Sequence, residues 1–526
     1  MAAIIKDQLR ILRAKQFVSL ASSSNYYSFI GLPNSTDYDS DWDSSPPAPI
    51  DNFQQEWDYW DTMIALKKIY PTDVRQAIRK IKWEEGVVYD MYRHDIGRNN
   101  VSIPSRSTSL YFSNFYVVNS NYQVYICLYN GISPNNPSGV PSQIEPTFTE
   151  LEPRPAGDGS DGYIWKYLFT LNATEIVKFD STNFIPVPSN WGVDEQTALI
   201  KNNAISSGQI KICTIKNRGN YSNVSNIRNR IFRDVPIKGD GTGGQVTITF
   251  NNNAEVENVI VTNGGANYTF GTIDILSGGL PSALVSPEFE VIIPPKGGHG
   301  YDIYTELGAF YVSVYSRIEN DSNNPDFITG NEVARIGIIE NPLKYNSTDS
   351  LVDDKVSAVY ALKLTGISNP TDYQTAAFTP NAYITQTVGT GATAVGRVVS
   401  YDKNTGVLKY WQDKSLAGFG YNGQKNTPTY GYTLQRFTAE PSSGGSVTIT
   451  GGSLNLNIDT SFGTTENPGI TTTINNKTYS LGQFFVKGVS NPEVEKYSGS
   501  VIYVDNRPAI TRSPNQKEDI KIILQF

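Results

Sequence analysis

The chain has 526 residues, of which 12% are aromatic and only 18% charged, and its net charge is −8. That length predicts about three or four domains, and the negative balance excludes a general nucleic-acid-binding surface of the kind that basic proteins present. The 44 glycines and 29 prolines that accompany the aromatic residues read as a β-rich, turn-rich protein whose partners are other proteins.

The opening residues Met1 to Asp7 hold no apolar stretch after their charges, and no segment approaches about 18 uninterrupted apolar residues. Neither a signal peptide nor a membrane-spanning helix is predicted, so the expected product is soluble and cytosolic. Ile5, Leu9 and Leu12 suggest a short N-terminal helix, and Tyr26 to Ile30 a strand closed by Gly31. Between Asn34 and Asp51 the chain is polar and punctuated by proline. Asp37, Asp39, Asp41 and Asp43 alternate there like the start of a calcium loop, but the sixth position is Trp42 and the twelfth Ala48, where glycine and glutamate are required. A solvated acidic loop is the plainer reading. Pro71 to Ile81 reads as the best helix in the chain: Pro71 suits a first turn, Asp73 complements the dipole, and Val74, Ala77, Ile78 and Ile81 share a face. Its other face, Arg75, Arg79, Lys80 and Lys82, is basic and is either solvated or set against an acidic partner.

Further on, Gly157, Asp158, Asp161 and Gly162 make a glycine-aspartate turn, and Tyr163 to Leu171 is apolar nearly throughout, as for a strand buried on both faces. From Ile210 the texture changes to short strands separated by Asn and Gly. Lys216 to Tyr221 and Thr262 to Tyr268 are similar enough to suggest a repeated strand-turn unit, and Gln245 to Phe250 pairs naturally with Val256 to Thr262 across Asn251-Asn-Asn253. Ile336 to Leu343 is a strand stopped by Asn341-Pro342. A second glycine-rich region follows, in which Gly389 to Val395 echoes Gly241 to Val246, and strands up to Tyr401 and from Val407 to Trp411 flank a turn at Asp402 to Gly406. Ser442 to Asn476 is rich in Gly, Ser, Thr and Asn. At the end, Val501 to Val504 reads as a strand, Asp505-Asn506-Arg507-Pro508 as the turn that breaks it, and Ile520, Ile522, Leu524 and Phe526 alternate onto one face, placing the last side chain in a core.

A search for catalytic patterns returns decoys. Gly239-Asp-Gly241-Thr-Gly-Gly244 satisfies G-x-G-x-x-G, yet a strand is predicted after it where a dinucleotide site needs a helix N-terminus. His94 and His299, the two histidines, and Cys127 and Cys213, the two cysteines, are scattered, without the spacing of a metal site or a disulfide framework. Each cysteine sits in an alternating apolar run, as a small buried hydrophobe does. Carboxylates that could form a glycosidase pair, Glu84, Glu85, Asp158 and Asp161, read more simply as turn or surface charges. No enzyme, metal or cofactor is predicted.

Three of these blocks carry a resemblance. Ser498, Gly499, Ile502, Tyr503, Asn506, Arg507, Pro508, Ile510, Gln516, Glu518, Ile520, Ile522 and Phe526, with Asp158, Gly162, Tyr163, Trp165 and Tyr167, and with Asn341 and Pro342 closing the strand from Ile336, resemble the baseplate wedge subunit family of T-even-like contractile-tailed phages, known as gene product eight. Leu9 to Ile30, Val117 to Leu128 and Phe184 to Pro188 fall in the family's order. The similarity spans residues 1–204, 297–352 and 491–526. It implies a mainly β fold with a few helices (α+β) and a discontinuous β-sandwich core made of those segments; the family's compact member has no counterpart for 205–296 and 353–490, whose strand-and-turn texture reads as two small inserted β domains. It further implies a non-enzymatic virion component, assembled in the host cytoplasm, that dimerises with itself and joins other wedge proteins to the one bearing the short tail fibres, without nucleic-acid contact or membrane insertion. The alternative is a carbohydrate- or receptor-binding tail protein, since β insertions with exposed Asn, Tyr and Trp also suit glycan stacking.

Overall fold

A computed structural model describes residues 4–33, 42–206, 209–319, 327, 329–365, 378–412, 434–452, 454–513 and 516–526. The aspartates at 37, 39 and 41, and so the calcium-loop pattern, lie outside the described residues. The fold is mainly β with five α-helices among the described residues. Contacts divide the chain into two compact units, one of residues 1–18, 74–314 and 521–526, the other of 19–73 and 315–520. The segment 205–296 falls wholly in the first unit and 353–490 wholly in the second.

In the first unit, strands Tyr116–Val118, Gln123–Asn130 and Tyr163–Thr170 form an antiparallel sheet. Its aromatic side chains build the largest core, with Tyr125, Cys127, Trp165 and Leu168 fully buried. Cys127 and Cys213 are both buried free thiols. The Asn- and Gly-rich segment after 210 forms its own four-stranded sheet, in the order Val256–Ala266, Thr242–Phe250, Ile231–Gly239, Gly271–Ile273, beside the pair Cys213–Asn217 and Glu288–Val291. A separate core of Tyr221, Val235, Val246, Ile248, Phe250 and Val256 fills it. The hairpin across Asn251 forms because the Asn251 carboxamide accepts from the backbone N–H groups of Asn253 and Glu255, at 2.8 and 3.0 Å. The similar tracts around Tyr221 and Tyr268 share one device: Asn217 and Asn263 each accept from the N–H two residues on, and each following tyrosine is buried.

The second unit contains a five-stranded antiparallel sheet in the order Lys355–Ser357, Met63–Ile69, Tyr26–Gly31, Glu332–Glu340, Ser500–Thr511. A seven-stranded sheet includes Tyr383–Gly389, Ala392–Asp402, Val407–Trp411 and Tyr360–Lys363. One face of the first sheet, through Ile30, Ile64 and Ile336, shares a hydrophobic cluster with Val359, Val399 and Trp411. Its opposite face packs Tyr27, Phe29, Leu66 and Ile339 against Trp60 and Val494.

Three sequence expectations change. Residues 71–81 are not a helix: Pro71–Asp73 is a single 3-10 turn, and Val74–Arg79 is a strand paired with Phe184–Pro186 on one side and with Tyr311 to Val314 on the other. Hydrogen bonding to distant strands overrides a helical pattern, because Val74, Ala77 and Ile78 are buried and Gln76, also buried, donates to the Ala309 carbonyl. The basic face dissolves with the helix. Arg79 donates to the Phe112 carbonyl and to Asn114, and Lys80 pairs with Asp180 at 2.6 Å. Secondly, Asp505 to Pro508 is no turn but the middle of the strand Ser500–Thr511, in which Asn506 lies opposite Arg335 at an irregularity in the ladder. Pro508 is tolerated because this is an edge strand, where a missing N–H breaks no second ladder. Lastly, of the alternating set at the C-terminus only Ile522 is fully buried, while Ile520, Leu524 and Phe526 are half-buried. The expected N-terminal helix forms as Asp7–Leu20, with Ile5 just outside it, and buries Ile11 and Ala14, while Leu9 and Leu12 face outward.

Candidate functional site: the interlocked motif strands

The motif residues fall into two groups. In the second unit, the strand Glu332–Glu340 lies against Ser500–Thr511, with Ile338 opposite Tyr503 and Gly337 opposite Val504. At its end Asn341 takes a left-handed conformation, φ 51°. Its side-chain oxygen accepts from the Asn25 N–H at 2.9 Å, and its own N–H donates to the Asn25 carbonyl at 2.7 Å. Asparagine tolerates this conformation better than most residues. Pro342 is buried beside it, and the Leu343 N–H donates to the Ser498 hydroxyl at 2.9 Å. Gly499, at φ 69°, lies so close that a Cβ there would sit 2.4 Å from the Glu340 carbonyl.

Arg335 is the residue that sequence reasoning missed. It is 1% exposed, donating to Asn506 at 2.8 Å and to the Thr62 hydroxyl at 2.7 Å, with its guanidinium 4.6 Å from the Tyr59 ring centre. A buried cation survives when its donors are met and an aromatic face lies across it. The signal was an arginine inside the apolar run Val333 to Ile339. Asn506 also donates to the Pro47 carbonyl, the Arg507 carbonyl accepts from the Trp42 indole at 2.8 Å, and the Ala509 N–H donates to Asp43. Segment 42–47 is thereby tied to the strand carrying Asn506, Arg507 and Pro508. The Arg507 side chain is exposed and pairs with Asp505 at 2.7 Å.

In the first unit, Asp161 is a staple. Its carboxylate accepts from the Ser142 hydroxyl and from the N–H groups of Gln143, Ile144 and Tyr163 at 3.0–3.3 Å. Asp158 is exposed and caps its own turn, accepting from the Ser160 N–H, which together with the Ser160 hydroxyl holds its carboxyl below the usual range. Gly162, at a positive φ of 71°, follows Asp161 and leads into the strand. Tyr163 and Trp165 stack, ring centres 5.2 Å apart, and Tyr167 bonds Thr170 at 2.8 Å, all three in the interior. Glu84 and Glu85 are exposed. His94 accepts from the Ile293 N–H, and His299, buried, meets Glu306 at 2.6 Å against the Tyr92 ring. The Gly239–Gly244 tract is a hairpin turn entering the strand Thr242–Phe250. Among the described residues no group of three His, Cys, Asp or Glu side chains is placed to hold a metal ion, and no helix is long and apolar enough to cross a membrane.

The first unit also carries a cleft of about 1040 Å³ between Tyr129, Ile132 and Ile164 on one side and Ile212, Ile215 and Ile260 on the other. Its rim is mixed in charge, with Lys211 paired to Glu152 at 3.0 Å. Trp60, Trp165 and Trp411 are fully buried, as are Tyr27, Tyr116, Tyr125, Tyr163, Tyr167 and Tyr221, whereas Trp57, Tyr70, Tyr345 and Tyr497 are exposed. No protein-family model matches the chain, and no curated protein matches it in sequence.

Proposed function

We propose that this chain is a structural connector of a contractile phage tail, a subunit of the baseplate wedge that joins wedge proteins at the baseplate periphery to the one bearing the short tail fibres, and that it works as a homodimer in the virion. The reading is supported by where the family-like residues fall. Two blocks distant in sequence, 336–343 and 498–510, are neighbouring strands whose residues engage one another, Leu343 with Ser498 and Gly499 against Glu340, while Asn506 is held by Arg335 just before the first block. A connector must transmit load through its interior, and long antiparallel strands tied by buried polar groups resist slippage of register.

The test is assembly. Purified chain is examined by light scattering at micromolar concentration, then mixed with the wedge proteins of the same phage and followed by size-exclusion chromatography. A dimer that enters a stable wedge complex supports the proposal, at an interface of the order of 1,200–2,000 Å² or more. A monomer that ignores those proteins and is retained by a glycan array replaces it with the receptor-binding reading.

A further inference from the structure

The helix Asp7–Leu20 carries apolar residues on two sides, and among the described residues only one side is covered. Inward, Ile11 joins Ala77, Phe310 and Tyr311, Ala14 is fully buried, and Phe17 lies 5.6 Å from the Phe526 ring. Arg10 faces the same way, 5.8 Å from the Phe310 ring centre and 3.7 Å from Asp7. Outward, Leu9 and Leu12 are 45% and 50% exposed, and Ile5, in the segment leading into the helix, is 68% exposed. Steps of about 100° per residue put Leu9 and Leu12 on a narrow stripe opposite Ala14, and Ile4 and Ile5, in the residues just before the helix, leave more apolar surface exposed. Lone exposed leucines need no explanation, but a pair at i, i+3 with apolar residues just before it is the kind of anchor by which one amphipathic helix lies along another.

The rim selects the partner. Arg13 flanks the stripe on one side and Lys15 on the other, with Lys6 just before the helix, all three exposed. Asp7, the helix's single acid, is engaged by Arg10. The helix's own flanks beside the stripe are thus basic, on a chain whose net charge is −8. Two copies of this helix set face to face would oppose like charges, which costs affinity, whereas an acidic rim gains it. We propose that this face docks an amphipathic helix of a different protein whose apolar stripe is flanked by Asp and Glu. The proposal stands on this helix alone, independent of the connector reading.

The full chain is titrated against two labelled helical peptides that share a leucine stripe at i, i+4 and i+7, one flanked by Glu and the other by Lys, with anisotropy as the readout. Saturable binding of the Glu-flanked peptide that weakens with salt is expected, and Leu9→Asp with Leu12→Asp should reduce it at least about tenfold. Charge reversal at Lys6, Arg13 and Lys15 to Glu should transfer the preference to the Lys-flanked peptide. Thermal melting checks that each variant is folded, and Leu12→Gln alone replaces the double variant if that one melts early. Equal affinity for both peptides, absence of saturable binding, or binding indifferent to Leu9 and Leu12 overturns the proposal. So does leucine-dependent partitioning onto phosphatidylglycerol vesicles, or self-association abolished by the leucine variants in sedimentation, since either assigns the face to another occupant.

Discussion

Gly337 sits in the middle of a central strand, flanked by Tyr26–Gly31 on one side and Ser500–Thr511 on the other. A Cβ there would lie 2.3 Å from Cζ of Phe29 and 2.4 Å from the Tyr503 carbonyl oxygen. The ring can rotate away, but the carbonyl belongs to the neighbouring backbone and moves only with its strand. Gly337→Ala should therefore cost about 1–3 kcal/mol by overpacking. Alanine's own advantage over glycine within a strand, about 0.5–1 kcal/mol, offsets part of that. A net loss of about 1–2 kcal/mol should appear as local opening, read by hydrogen exchange with mass spectrometry on peptides covering 332–340 and 500–511. Exchange there should quicken by about five- to thirtyfold, while peptides from 116–130 are unchanged. In a Phe29→Leu background the same substitution should cost less, because one of the two clashes is relieved. Exchange in the two strands within twofold of wild type, or equal acceleration in both units, would refute the packing argument.

Asn341→Ala should destabilise the same sheet by about 1–2 kcal/mol, and Asn341→Gly by less, because both lose the bond to Asn25 but only alanine also strains the left-handed backbone; urea midpoints of the three proteins check the order. Ile522→Ala should cost about 2–5 kcal/mol, since this side chain is 3% exposed, whereas Leu524→Ala, at a half-buried position, should cost clearly less; similar losses by calorimetry would contradict the burial pattern. Burial lowers the Lys166 pKa from 10.5 to about 8. Between those values the unfolded chain binds the extra proton, so this residue makes stability rise with pH above 8, a gain that Lys166→Met should remove; a slope over pH 8–9.5 identical in the two proteins would reject it. At Glu290 burial raises the pKa, but hydrogen bonds and charge from Arg93 and then Lys216 outweigh it and hold the carboxyl below 4.5. Its contribution is present above the unfolded value and fades as pH falls through the lower folded one, and Glu290→Gln should flatten that acid limb when exchange is followed at 213–217 and 288–291.

What the sequence determined by itself was local. The turn at Gly157 to Gly162, the hairpin across Asn251, the stop at Asn341-Pro342 and the apolar run of Tyr163 to Thr170 were readable because each is fixed by φ preferences, by side chains bonding their own backbone, or by a hydrophobic pattern a few residues long. The mainly β character followed from composition for the same reason. The tertiary structure decided whatever depends on a distant partner. Val74–Arg79 has a helical spacing of apolar residues, yet becomes a strand because Phe184–Pro186 and Tyr311 to Val314 supply its hydrogen bonds. Asp505 to Pro508 has turn composition, yet stays extended because Arg335 and Trp42 satisfy its polar groups from elsewhere and Asp43 takes up the N–H of Ala509 just beyond it. The inward face of the helix Asp7–Leu20 was undecidable locally, since both sides are apolar; Phe310 and Phe526 select Ile11, Ala14 and Phe17. Arg335 is the sharpest case, a charge in an apolar strand made tolerable by partners at Thr62, Tyr59 and Asn506 that no local pattern brings together.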